Sequence, residues 1–179
     1  MGERLGRNQL AEAGIDPAAL AVLKITPALL GALGESVPEI ALLEPADDGW
    51  SARDVIAHLL DAEGVAFVQR ITHILDEERP AIRPIDPPAR LKAMRYARRS
   101  AASLVEELAR KRAQHLDWLS TLTPQQLGRV GDHQEAGEIS AGNIVHSWAC
   151  HDLLHLQQIA KIIQLQLMDR LGNMRRFLE

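Results

Sequence analysis

Between Ile139 and Leu167, residues fit for a buried face recur at alternating steps of four and three: Ile144, Trp148, His151, His155, Gln158, Ile162 and Leu165. That spacing draws one seam along a long helix, the kind a bundle helix turns toward its neighbours. Two imidazoles one turn apart in the middle of an apolar seam are costly unless each ring nitrogen finds a partner. A divalent metal accepts both at once, because positions i and i+4 share a face. Separate hydrogen bonds to a neighbouring helix would serve as well, and this helix alone does not choose between the two.

Three further amphipathic segments precede this one. Asp16-Pro17 has the form of a helix start, with Asp as cap and Pro in the first turn; the helix should run to about Glu35 on Leu20, Leu23, Leu29, Leu30 and Leu33, kinked or restarted at Pro27. Residues 1–16 read as a loose lead-in with a short helical turn expected near Leu10, and 37–49 as a loop. Ser51 should cap a second helix, with Asp54 completing a capping box; apolar residues recur to about Asp76, and His58 sits at the edge of that face. Pro80, Pro84, Pro87 and Pro88 then impose an extended crossing. A third helix, with an early turn from Arg90, is clearest from Ala101 to Leu122 on the seam Leu104, Leu108, Lys111 or Arg112, His115, Leu119 and Leu122. Thr123-Pro124 opens a short capped turn, 129–137 read as a polar loop, Ser140 should cap the fourth helix, and residues 171–179 a terminal turn or short helix. No period-2 run of useful length is present. The expectation is an all-α four-helix bundle, one domain over 1–179, with its long connection between helices 2 and 3.

Composition narrows the function. With 46% hydrophobic and 25% charged residues, 179 residues suffice for a core without staples. A formal charge of −4 argues against a dedicated nucleic-acid binder; the cluster Arg90, Lys92, Arg95, Arg98 and Arg99 reads as a solvated helix face. One cysteine, Cys150, rules out an internal disulfide and a Cys-based metal cage; turned about 100° from His151, it reads as a small buried hydrophobe. No signal-type apolar core and no run of about 18 apolar residues is seen, so a cytoplasmic protein without membrane contact is expected.

Two stretches carry a family resemblance. Trp50-Ser51-x-x-Asp54-Val55-x-x-His58-Leu59 and, after Gly137-x-Ile139-Ser140, the run His151-Asp152-x-x-His155-x-x-Gln158-Ile159 resemble the two signatures of the DinB-like superfamily, also called YfiT-like metal-dependent hydrolases, over roughly residues 16–170. The resemblance implies a four-helix bundle holding a divalent ion through three histidines, which map onto His58, His151 and His155. Nickel or zinc is expected first, with iron or manganese as alternatives. It further implies a small-molecule substrate and a homodimer. The expected reaction is S-transfer with a low-molecular-weight thiol, then hydrolysis; the rival reading is a non-catalytic metal-binding bundle of the stress response. Asp61 is a candidate to orient His58. Asp152 and Glu63 point to neighbouring angles, and exposed carboxylates on a helix face account for all three equally well. Asn143 and Ser147, on the i+4 steps before His151, are candidates for the pocket mouth. His115 and Arg112 approach from the third helix, Arg112 either as a carboxylate clamp or as a snorkelling surface residue. Trp50 reads as a packing plug, and His73, His133 and His146 show no ligand spacing.

Overall fold

The computed structural model describes residues 14–45, 49–94, 96–168 and 170–177; the expected turn near Leu10 lies outside them. Four long helices form a bundle: α1 (Pro17–Ser36), α3 (Ala52–Ala62) continued through a π turn (Glu63–Val68) into α4 (Gln69–Asp76), α6 (Ala101–Leu119) and α8 (Ala141–Met168). Short helices α2 (Glu39–Leu43), α5 (Pro87–Met94) and α7 (Pro124–Leu127) lie in the connections, and a 3-10 helix (Gly172–Phe177) follows α8. Both α1 and α3 pack on α6 and on α8, so α1 faces α3, and α6 faces α8, across the diagonals of the bundle. This order makes α3 and α8, the two histidine-bearing helices, direct neighbours.

Capping chemistry sets the ends. Asp16 accepts from the Ala18 amide, and Ser51 with Asp54 forms a full capping box, as does Thr123 with Gln126. The kink or second start expected at Pro27 does not divide α1, which runs through it. Proline lacks the amide that would bond the Leu23 carbonyl. Arg112 Nη1 donates to that carbonyl instead, at 2.6 Å. By length and composition α1 could cross a membrane, against the expectation that no stretch would; it lies in the bundle with Leu23 and Leu30 fully buried.

The apolar interior falls into two clusters, one around Phe67 and Trp148, the other around Leu59, Leu104 and Ile159. Between them in register lie Arg112, Glu63 and Asp152, exposed by 2%, 0% and 1%. The expected surface carboxylates on the helix faces are therefore buried, Asp61 included. Cys150, expected buried, is exposed, and so cannot serve the core. In the basic cluster Arg90 pairs with Asp61 and Arg99 with Glu107, so neither is merely solvated.

A small sheet, unforeseen in the sequence, covers one end. β1 (Ala81–Ile82) runs parallel to β2 (Val130–His133), which pairs antiparallel with β3 (Gly137–Ser140). The polar loop expected at 129–137 is largely this hairpin, turned by Gly137 at φ +76°, a conformation glycine adopts without strain. Ile82 stands opposite His133, which brings the proline-rich crossing and the hairpin together beside the bundle.

Candidate metal centre

His58 comes from the buried face of α3, one turn below the capping box that anchors Trp50; the Trp50 ring stands edge-on to the His58 ring at 5.3 Å. His151 and His155 come from successive turns of α8. The three rings converge: His151 Nε2 lies 3.0 Å from His58 Nε2 and 3.1 Å from His155 Nε2. All three donor atoms fall within 4.8 Å of one another. Nitrogens each held roughly 2.1 Å from one ion stand about 3 Å apart, so the spacing suits a shared cation.

Proton accounting tests that fit. His155 Nδ1 donates to Gln158 Oε1 at 2.8 Å, which leaves Nε2 of a neutral ring as a lone pair. As a set of hydrogen bonds the cluster is then poorly satisfied. His151 Nε2 carries at most one hydrogen and cannot donate to both neighbouring nitrogens, and His151 Nδ1 is buried without a partner among the described residues. A cation satisfies three lone pairs together. Protons are disfavoured there: burial, then the charge of His155, lowers His58 to about 4 against the opposing pull of Asp61. Burial lowers His151 to about 3, helped by His155, His58 and Arg112. His155 is lowered by burial, with Gln158 and Asp152 opposing. Neutral imidazoles are the form that binds metal.

The rings line an open cavity of about 570 Å³. Its floor is Ala62, Val65, Ala66 and Arg70 of the α3–α4 helix. Its walls come from Pro84, Ile85, Pro87 and Pro88 of the crossing and from His133 and Glu135 of the hairpin. Trp50 is part of this wall as well as a packing residue.

The other sequence candidates are placed differently. Asp61 lines the cavity, but Arg90 grips both its oxygens at 2.5 and 2.9 Å, and no bond runs from it to His58 among the described residues. Arg112 is neither a clamp at the pocket nor a snorkelling surface residue. Its guanidinium bonds Glu63, Asp152 and the Leu23 carbonyl, which occupies every N–H it has. His115 Nδ1 donates to Glu63 Oε1 at 2.8 Å, outside the cavity lining. Asn143 and Ser147 are exposed and do not line the cavity. Steps of four gain about 40° each on an ideal helix, so the stripe has wound away from His155 by Asn143. Asn143 instead exchanges bonds with Ser140 at the start of α8. Arg70, His133 and Glu135 escaped the sequence reading; the only signal was the position of His133 just before the fourth helix.

The sequence profile of the DinB superfamily matches residues 23–159. This chain belongs to the DinB superfamily. Among curated relatives, a protein of Bacillus subtilis named "Putative metal-dependent hydrolase YfiT" is 34% identical over 149 residues, 79% of this chain and 80% of its own length. One of Oceanobacillus iheyensis, likewise named a "Putative metal-dependent hydrolase", is 33% identical over 119 residues, 64% of this chain. The chain spans 65% of that relative's length. The solved structure of YfiT, described as a probable metal-dependent hydrolase with an unusual four-helix bundle topology, superposes with a TM-score of 0.74 at 27% identity. That match covers 83% of this chain and 85% of YfiT.

Proposed function

We propose that this DinB protein is a metal-dependent hydrolase acting on a small molecule, with His58, His151 and His155 holding nickel or zinc. The observation that carries the reading is the meeting of three Nε2 atoms in the wall of an open cavity. When bound, such an ion supplies Lewis acidity, polarising an electrophile or acidifying a nucleophile. Gln158 holds the His155 ring in the tautomer that offers Nε2. Trp50 and the prolines line the cavity beside the histidines. No serine, threonine or cysteine appears among the described lining residues, so the nucleophile comes from solution. Glu135, exposed at the rim and without an ion pair among the described residues, is the lining carboxylate available to take its proton.

The same absence of a protein nucleophile supports a second reaction, transfer to a low-molecular-weight thiol, which differs only in what enters from solution. Exposed Leu153, Leu154 and Leu167 on α8 favour a second copy of the chain as a partner, and the formal net charge of −4 favours no nucleic acid.

Untagged protein purified without chelator should carry near-stoichiometric metal. That metal should be lost in His151→Ala while helical content is kept. The loaded protein should turn over esters or amides in a hydrolysis panel, or consume thiol against an electrophile panel. Metal without turnover in either panel, or outright unfolding on chelation, would favour a non-catalytic bundle.

A further inference from the structure

We infer that the cavity beside the three histidines takes a substrate bearing an oxyanion, a carboxylate or a phosphate, which Arg70 and His133 bind at the end away from the histidines. This rests on the cavity being the substrate site, but not on which reaction occurs there.

Arg70 lines the cavity, half-buried, from the floor helix. Among the described residues its one hydrogen bond runs from Nη2 to the Arg83 carbonyl at 2.8 Å. A guanidinium has five N–H donors, so most of this one remains unused. No carboxylate pairs with it among the described residues, whereas Arg79, Arg90, Arg99 and Arg112 all have acidic partners. Burial without a counter-charge lowers the Arg70 pKa, the signature of a cation an anion would relieve.

His133 supplies a second donor at the same place. Its Nδ1 accepts the amides of Glu135 and Ala136, each at 3.3 Å. An accepting Nδ1 requires the proton of the neutral ring to sit on Nε2, so the far edge of the ring is a donor. Arg83, which Arg70 holds, follows Ile82, and Ile82 is the register partner of His133. The guanidinium and the imidazole therefore both line the cavity beside the ends of β1 and β2. Of the other charges lining the cavity, Asp61 is neutralised by Arg90, and Glu135 is exposed at the rim.

The test follows the side-chain Nε–H signal of Arg70 and the ring signals of His133 by NMR at neutral pH, with and without zinc. The probes are succinate, inorganic phosphate and uncharged succinamide. Succinate or phosphate should shift both residues saturably and succinamide should not; a response to one anion alone assigns the group. Arg70→Gln should weaken the anion about fivefold or more, and Arg70→Lys, which keeps charge but loses the planar fork, by less. Absence of a saturable shift in the unsubstituted protein, an equal response to succinamide, or unchanged affinity in Arg70→Gln would overturn the inference. Zinc affinity, measured alongside, should be the same in Arg70→Gln. Failure to bind zinc at all would defeat the metal reading while leaving the anion titration interpretable.

Discussion

Arg112 occupies the carbonyl of Leu23 that Pro27, four residues on, cannot reach with an amide. A helix defect in α1 and a buried cation in α6 thus complete each other, and the same guanidinium ties Glu63 and Asp152 into the core. Its net charge state is settled by competition: burial opposes the cation most, and the two carboxylates outweigh it, so its pKa ends raised.

Arg112→Met should therefore cost far more than one lost contact. It leaves two buried carboxylates without their cation, Glu63 keeping only its bond from His115, and the Leu23 carbonyl without a donor; removing one member of such a group destabilises by about 3–5 kcal/mol. Urea unfolding monitored by circular dichroism measures it. Adding Glu63→Gln and Asp152→Asn to Arg112→Met should recover part of the loss; a loss near zero in the single variant would show that the network contributes nothing to stability.

The bond from His155 to Gln158 makes a separate prediction. Gln158→Leu removes the acceptor that keeps the proton on Nδ1, and loss of such a supporting bond weakens metal binding about 10- to 100-fold. Gln158→Glu, which still accepts, should bind at least as tightly as the unsubstituted protein. Competition with a chromogenic chelator reads both, and equal affinities across the three proteins would contradict the orienting role.

The three histidine positions were legible because helix periodicity and capping are local: Ser51 with Asp54 fixes the phase of α3, and i, i+4 fixes His151 with His155. Their convergence is not local, and it came from the family resemblance. The strands were hidden because two to four residues are too short to display alternation. The π turn left only Gly64 within a helical run as a sign. Arg112, Glu63 and Asp152 looked like surface charges because a charged residue announces burial only through its partner, here 40 and 49 residues away. Arg70 and His133 were missed for the same reason: the cavity they both line is assembled from α4 and the sheet, which are distant in sequence.

Gly131→Ala should test how firmly that sheet is set. A Cβ at this position would come within 2.9 Å of the Pro80 carbonyl and 3.1 Å of Ile74 Cγ1. The nearer atom is backbone, so β1 and β2 must separate, and overpacking of this kind costs about 1–3 kcal/mol. The distinguishing result is local: histidine ring signals from His133 should move in the NMR spectrum while those of His151 and His155 stay. An unchanged His133 would mean the strands absorb the methyl elsewhere.

Acid should act on the metal-free histidines in a defined direction. The folded pKa values of His58 and His151, about 4 and about 3, lie below the ordinary 6.5, chiefly because burial opposes the charged ring. A base depressed on folding takes up protons when the chain unfolds. Its stabilising contribution is therefore complete above about 6.5 and drains away as pH falls toward 4 at His58 and 3 at His151. Nearby charges modulate this, Asp61 pulling His58 up and Arg112 pushing His151 down. For metal uptake the consequence is favourable, since protons compete weakly. Imidazoles of ordinary pKa would be about nine-tenths protonated one unit below 6.5; here His58 and His151 remain neutral, so the folded protein should still take up cobalt or zinc at pH 5.5. Equilibrium dialysis across pH checks this, with circular dichroism confirming the fold at each point. A binding midpoint at or above 6.5 in folded protein would mean that the rings are solvated and that the buried cluster does not describe the metal-free protein.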